Sequence, residues 1–153
     1  MDEDKIFQYL IGQQENNQLT IQKQMKDLMA CNDYTKQFGI QLSEKEALDL
    51  IKERRENLIR QERIEFGEGI ITKLIFTFCD STYIYQDNYV ETIQRLQEIF
   101  YLYKNESLDE LTDDELLEYM KEQLDGKCQG DLDYLEDTAL EAFARKIRCG
   151  WDD

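Results

Sequence analysis

The sequence predicts an all-α protein, a compact single-domain bundle of six or seven helices around a buried helical hairpin. Apolar residues recur at helical spacing through most of the chain, and no run that alternates like a strand has a second run to pair with. The chain contains no Pro and only seven Gly, whereas an all-β fold needs many Gly and Pro turns. Its 153 residues fit one domain, residues 1–153, with one core.

The predicted hairpin occupies the most apolar stretch, Arg63 to Glu106. Its second arm shows an apolar face with spacings of four and three residues and a polar face opposite. The apolar face is Tyr89, Ile93, Leu96, Phe100 and Tyr103, and the polar face is Glu91, Gln94, Arg95, Gln97 and Glu98. The first arm, residues 69–79, fits both a helix and a strand. Because a strand lacks a partner, we expect a short helix that is apolar nearly all round.

The remaining helices are predicted from apolar faces and capping residues. Ser43 with Glu46 and Thr112 with Glu115 form capping boxes, and Gly126 follows the helix that Thr112 begins. The predicted spans are a short helix at residues 6–11, Thr20 to about Cys31, a short piece at residues 34–38, Ser43 towards Arg63, Thr112 to Leu124, and about Asp131 to Arg148. In the last helix we expect an inward row of Leu132, Leu135, Ala139, Phe143 and Ile147.

The net charge of −16 is unevenly distributed and narrows the choice of partners. The segment from Glu106 to Glu141 carries fourteen acidic residues and two Lys, a net charge of −12. Such a surface repels phosphate backbones, so we expect no direct binding to nucleic acid. It attracts basic proteins and divalent cations, although acidic residues also serve solubility alone.

Several classes of protein are excluded by what the chain lacks. It contains no His, so it has no Ser-His-Asp triad, no Cys-His pair and no His metal ligand. The four Cys residues are widely spaced and form no C-x-x-C pair, which disfavours a zinc or thioredoxin-like site. No apolar run approaches the roughly 20 residues that span a bilayer, and the acidic N-terminus does not resemble a secretory signal. We therefore expect a cytoplasmic protein with reduced thiols and no membrane association.

A cluster of polar residues borders the apolar centre and is the first candidate for a small-molecule or peptide pocket. Its members are Arg63, Glu65, Glu68, Asp80, Asp87, Asn88 and Glu91. Gly67 and Gly69 would let a backbone approach closely. The alternative is that these side chains cap helices and form ion pairs at the ends of the hairpin.

Arg55 is a further candidate because it interrupts an apolar row of its predicted helix, between Ile51 and Leu58. A guanidinium group in a cleft binds carboxylate or phosphate with paired hydrogen bonds. The alternative is an aliphatic stem on the edge of the core with a solvated head group. Arg54 is a similar case.

Two patterns of carboxylates suggest metal binding. The segment DGKCQGDLDYLE at residues 125–136 is a degenerate match to a calcium loop, with Asp125, Asp131, Asp133 and Glu136 as candidate ligands. Lys127 at its third position opposes a cation, and the alternative is a Gly-stopped helix followed by an acid-capped one. Acids spaced by three residues would suit a Mg²⁺-dependent phosphohydrolase; the pairs are Glu53 with Glu56, Glu65 with Glu68, Glu106 with Asp109, and Glu122 with Asp125.

Several segments together resemble an uncharacterised bacterial family classed as a domain of unknown function. They are CNDYTKQFGIQLSEKEA, RIEFGEG, KLIFTFCDSTYI, QDNYVET and LQEIFYLYKNESLDELTDDELLEYM. The resemblance covers roughly Leu19 to Phe143 and implies a cytosolic single domain. The family's genes often accompany another uncharacterised gene, which implies a protein partner. No activity is assigned to the family, so no functional residue is carried over.

We take a non-enzymatic, acidic protein-interaction or regulatory module as the leading hypothesis, because no nucleophile with a base, phosphate loop or nucleotide fingerprint is present. The alternatives are the Mg²⁺-dependent phosphohydrolase and the calcium loop. The run Phe100, Tyr101, Leu102 and Tyr103 is apolar nearly all round, so we also expect a homodimer contact there.

Overall fold

The computed structural model describes residues 18–65 and 69–149, and within these ranges it is helical with no strand, which confirms the all-α fold class. The described ranges contain six helices: α1 (Gln18–Thr35), α2 (Glu44–Arg60), α3 (Ile71–Phe78), α4 (Tyr89–Glu106), α5 (Asp113–Asp125) and α6, which runs through Leu132–Tyr134, Leu135–Ala139 and Leu140–Arg148. Short 3₁₀ helices at Lys36–Phe38 and Gln86–Asn88 follow α1 and precede α4. The helix predicted at residues 6–11 lies outside the described residues, and Thr20 lies within α1 rather than before it.

Helix α4 is the centre of the bundle and packs against α2, α3, α5 and α6. All five residues of its predicted apolar face are buried, as the four- and three-residue spacing predicts. Helix α3 is buried through Ile71, Leu74, Ile75 and Phe78, which confirms the helical interpretation of residues 69–79. The predicted hairpin is therefore α3 and α4.

Helices α2 and α4 lie side by side and run in the same direction. The amide of Gln97 donates to the carbonyl of Leu50, and the amide of Asn105 donates to the carbonyl of Gln61, so both contacts advance together along the two helices. Gln97 is fully buried, although its position on the helix predicted a polar, outward face. This packing places Glu53, on the solvent side of α2, beside the polar face of α4.

Two capping boxes fix the starts of α2 and α5, as predicted. The hydroxyl of Ser43 accepts from the backbone N–H of Glu46, and the carboxylate of Glu46 accepts in return from the N–H of Ser43. Thr112 and Glu115 form the same pair of bonds. A cap of this kind stabilises a helix by about 1 kcal/mol, so these two local signals define helix starts without help from tertiary packing.

The buried row of α6 differs from the predicted one because residues Leu135–Ala139 form a π-helical turn. The N–H of Leu140 bonds to the carbonyl of Leu135, so one extra residue enters the turn. Leu140 and Ala144 consequently take the buried positions predicted for Ala139 and Phe143. The hydroxyl of Tyr103 donates to the carbonyl of Glu136 inside this turn, which satisfies a backbone group that the turn displaces.

The prediction that residues 100–103 form a homodimer face is wrong. Phe100, Tyr101 and Tyr103 are at most 4 % exposed because α4 is covered by helices on several sides. These aromatic rings therefore belong to the core of a single chain.

All four Cys residues are free thiols, three of them buried and Cys149 exposed. None of the described helices has both the length and the apolar character needed to cross a membrane.

Candidate functional site

The structure distributes the predicted polar cluster over separate places instead of one pocket. Arg63 donates paired hydrogen bonds to Asp109 at 3.1 and 2.8 Å and a further one to the side chain of Asn105 at 2.5 Å. The guanidinium of Arg63 lowers the pKa of Asp109 below its ordinary value. Asp80 accepts from Lys121 at 2.6 Å. These residues form ion pairs between elements, as the alternative interpretation predicts.

Asp87 and Asn88 belong to the turn that precedes α4. The side-chain oxygen of Asn88 accepts from the N–H of Tyr85 at 2.9 Å, and its amide donates to the carbonyl of Tyr83 at 3.1 Å. Asp87 is exposed in the same 3₁₀ turn. Glu68 lies outside the described residues. The two described residues therefore shape a turn and do not line a pocket with Arg63 or Glu65.

An ion pair between buried Arg54 and partly buried Glu65 lies next to the core, where α2 faces the segment that follows it. Arg54 is 5 % exposed, and its Nε lies 2.9 Å from Oε1 of Glu65. The hydroxyl of Tyr101, from α4, lies 2.9 Å from both carboxylate oxygens of Glu65. Burial and the adjacent Glu65 carboxylate raise the pKa of Tyr101, so its hydroxyl stays protonated as a donor. Both charged groups of this triad, the guanidinium of Arg54 and the carboxylate of Glu65, are bound to partners within the protein, which is typical of a structural cluster.

Arg54, not Arg55, occupies the buried position of α2. The buried row runs through Leu50, Arg54 and Leu58, four residues apart, so Arg54 is the charged residue within it. Arg55 lies at the edge of this face and is partly exposed. The sequence predicts that a guanidinium here could bind the carboxylate of a ligand. In the structure the guanidinium of Arg54 binds an internal carboxylate instead, that of Glu65.

Glu91, the remaining member of the predicted cluster, lies in an open groove between α2, α4 and α6. We call it the acidic groove; its volume is about 490 Å³. Its lining residues are Glu53, Glu91, Thr92, Gln94, Arg95, Glu98 and Leu132. The α4 residues among them come mostly from the predicted polar face, whereas Glu53 of α2 and Leu132 of α6 supply the other walls.

Carboxylates outnumber cations around the acidic groove. Arg95 lies 2.8 Å from Asp133 and 3.7 Å from Glu136, both on α6. Arg60 lies 3.3 Å from Glu53 and 3.5 Å from Glu98. Among the residues that the structure describes, the groove and its rim therefore hold five carboxylates, of Glu53, Glu91, Glu98, Asp133 and Glu136, against two guanidiniums.

Two of these carboxyl groups have raised pKa values, because they are partly buried and lie close to other acids. Partial burial, together with repulsion from Glu56 and Glu98, raises the pKa of Glu53 despite its bond to Arg60. Partial burial raises the pKa of Glu136 as well, and repulsion from neighbouring acids adds to that effect against the attraction of Arg95. A raised pKa means that the groove disfavours its own ionised form. A cation bound in the groove would relieve that cost.

The candidate calcium ligands do not converge. Asp125 accepts from the hydroxyl of Ser81 at 2.7 Å and pairs with Lys121 at 3.1 Å. Asp131 caps α6 by accepting from the N–H of Tyr134 at 3.1 Å. Asp133 and Glu136 face Arg95. Helix α5 ends at Asp125 with Gly126 after it, which is the alternative that the sequence left open.

The acids proposed as Mg²⁺ pairs also have partners of their own. Glu53 is bound by Arg60, Glu106 by Arg148 and Asp109 by Arg63. In residues 18–65 and 69–149, no group of three or more acidic or Cys side chains is arranged to hold a metal ion.

We expect the raised pKa values of Glu53 and Glu136 to appear as a pH dependence of stability. Between the ordinary and the raised pKa, the folded state binds more protons than the unfolded state, so acidification through this range adds stability and a rise in pH removes it. The wild type should therefore gain stability relative to E53Q/E136Q between about pH 7 and about pH 4.5. Urea unfolding of both proteins at the two pH values measures the difference.

The comparison of two proteins is the control in this experiment. Asp109 and Glu115 have lowered pKa values, and their contribution to stability is lost as the pH falls. Because both proteins contain these residues, their effect cancels in the difference. If the stability of the wild type relative to E53Q/E136Q stayed constant with pH, or increased as the pH rose, the raised pKa values of Glu53 and Glu136 would be contradicted.

Together, the fold and the groove define a helical bundle with an open, acidic concave surface. The chain belongs to a family of unknown function, DUF6323, whose model matches residues 27–153. This membership confirms the resemblance to a domain of unknown function. No curated protein and no solved structure gives a significant match to the chain.

Proposed function

We propose that this protein is a non-enzymatic interaction module that binds a basic protein partner in the acidic groove. The observation that carries the proposal is the excess of negative charge on a concave surface, where five carboxylates of the described residues surround two guanidiniums. Burial, together with repulsion from neighbouring acids, raises the pKa of Glu53 and Glu136, and Lys and Arg side chains of a partner would pair with these carboxylates and favour their ionised form.

The architecture of the groove suits recognition more than chemistry. Its walls are exposed faces of three helices, and the polar groups that line it are carboxylates, one guanidinium, an amide and a hydroxyl. Neither the calcium loop nor the paired carboxylates for Mg²⁺ gains a supporting contact in the described residues, and we do not propose either as a function. We also propose a cytoplasmic location, in which the four free thiols stay reduced.

Binding of a fluorescein-labelled octalysine peptide tests the groove directly. We expect the triple variant E53Q/E91Q/E98Q to weaken binding at least about tenfold and to reduce its dependence on salt, because it removes three charges from one concave surface. The matched control is E44Q/E62Q/E110Q, which removes three charges from exposed positions that do not line the groove. We expect the control to change the affinity less than about twofold. Fluorescence anisotropy at two salt concentrations gives both values.

Equal weakening by the two triple variants would show that only the overall charge matters, and would contradict a specific groove. Binding that neither variant weakens would contradict it as well. The same variants then serve as baits for partner identification, because a true partner is retained by the control variant and lost from the groove variant.

A further inference from the structure

A cluster of exposed aromatic rings lies on the side of the bundle formed by α1 and α3. Tyr34, Phe38 and Phe76 are 48 %, 39 % and 47 % exposed. The ring of Tyr34 contacts the ring of Phe38 edge-on, with centroids 5.7 Å apart, and that of Phe76 at 5.4 Å. We call these three residues the aromatic platform. Half-exposed aromatic residues that contact one another form a preformed apolar surface, unlike isolated exposed rings.

Phe76, the member of the platform on α3, is exposed because it lies on the solvent side of this otherwise buried helix. The outward stripe of α3 contains Lys73, Phe76 and Thr77, and exposed Asp80 follows the end of the helix. Lys73 pairs with Asp114 at 3.2 Å and Asp80 with Lys121 at 2.6 Å. These two ion pairs connect α3 and the residue after it to α5, while the ring of Phe76 stays exposed.

A second groove, between α3 and α5, begins next to the platform at Thr77. Its volume is about 470 Å³, and its α5 wall carries Glu118 and Glu122, which are exposed. Within the part of the chain that the structure describes, neither of these two acids forms an ion pair. Lys73 and Lys121 are neutralised by their own partners, and Lys36 lies in the 3₁₀ helix that holds Phe38. The apolar platform is therefore bordered by available negative charge.

A second copy of this chain is a poor occupant for this surface. The platform exposes on the order of 250 Å² of aromatic surface, whereas a stable interface takes about 800 Å² from each partner. Two chains that each carry a net charge of −16 also repel one another. The occupant has to be smaller than a whole domain and opposite in charge.

We propose that the aromatic platform and the adjoining α5 acids dock a basic amphipathic helix of another protein. Large apolar side chains of that helix would pack on Tyr34, Phe38 and Phe76, and Lys or Arg one turn away would reach Glu118 and Glu122 or lie over the rings. This surface is separate from the acidic groove, so the inference does not depend on the function proposed for the groove.

The test uses a labelled 18-residue Leu/Lys amphipathic helical peptide as the probe. Two matched peptides carry Ser in place of each Leu, or Glu in place of each Lys. We expect the Leu/Lys peptide to bind most tightly and to shift the amide NMR signals of residues 34–38, 73–77 and 114–122. The variant Y34S/F76S should weaken binding at least about tenfold, and E118Q/E122Q about threefold with a smaller dependence on salt. Because all four positions are exposed, circular dichroism should show that both variants remain folded.

Each outcome decides the proposal. If E53Q/E91Q/E98Q abolishes binding of the Leu/Lys peptide while Y34S/F76S does not, the peptide occupies the acidic groove; the platform proposal then fails and the proposed function stands. Equal binding of the Glu peptide would overturn the role of Glu118 and Glu122. A dimer that sedimentation detects, and that Y34S/F76S dissociates, would make a second copy the occupant and would overturn the proposal. If neither the octalysine nor the Leu/Lys peptide binds, both proposals fail.

Discussion

Replacement of Arg54 by Ala is expected to lower the free energy of unfolding by about 3 kcal/mol, and to expose the chain to unfolding at low urea concentration. The loss arises because Glu65 and the hydroxyl of Tyr101 would remain next to the core without the guanidinium that neutralises them. The side chain of Glu65 is 22 % exposed, which places the effect at the lower end of the usual range for a broken buried pair. Urea unfolding, followed by circular dichroism, measures it.

Two further variants separate charge from packing in this prediction. The double variant R54M/E65Q removes both charges and should cost less than R54A alone, because no unpaired charge is left behind. R60A is the surface control: Arg60 is 51 % exposed and pairs with Glu53 at 3.3 Å, so its loss should cost at most about 1 kcal/mol. A cost of R54A no greater than that of R60A would contradict the structural role of the triad.

Local signals in the sequence were sufficient for most of the helices. The residues of a capping box lie three positions apart, so Ser43 and Thr112 show their role without reference to the rest of the chain. The apolar face of α4 repeats over several turns, and a one-residue error would place polar residues in the core. These elements were predictable because the interactions that define them are made within the element itself.

The π-helical turn of α6 was not predictable in this way. The turn is stabilised from another helix, through the hydroxyl of Tyr103, and its residues carry no distinguishing local pattern. It moves two buried positions by one residue, from Ala139 to Leu140 and from Phe143 to Ala144. The choice between Arg54 and Arg55 had the same character, because the partner Glu65 lies beyond the end of α2.

The sequence predicted one wall of the candidate site and not the other. Glu91, Arg95 and Glu98 were assigned to one polar face of α4, and this face is one wall of the acidic groove. The opposite wall was missed, because nothing in the sequence shows that α2 packs alongside α4 in the same direction and brings Glu53 close to Glu98. The predicted cluster instead grouped residues that are near in sequence at the ends of the hairpin, and tertiary pairing with Asp109 and Lys121 separated them.

Replacement of Gly69 by Ala is expected to destabilise the protein by about 3 kcal/mol, from two sources that a matched variant separates. Gly69 has φ +77°, and a Cβ there would lie 2.4 Å from Nε of Arg54 and 2.9 Å from Oε1 of Glu65. Gly39 has nearly the same φ, +79°, but a Cβ at that position would have no atom within 4 Å. G39A should therefore cost only the backbone strain, about 1–2 kcal/mol, and G69A should cost the strain plus the displacement of the ion pair.

The double variant R54A/G69A tests whether the second source is the ion pair. Because the Arg54 side chain is absent from the R54A background, the added Cβ no longer meets Nε, and the further cost of G69A should fall towards that of G39A. The double-mutant cycle would then give a coupling of at least about 1 kcal/mol between positions 54 and 69. Strictly additive costs would show that Gly69 is required for its backbone conformation alone. Coupling would show that the close approach of the backbone at Gly69 holds Arg54 against Glu65, and so ties the segment after α2 to the core beside Tyr101.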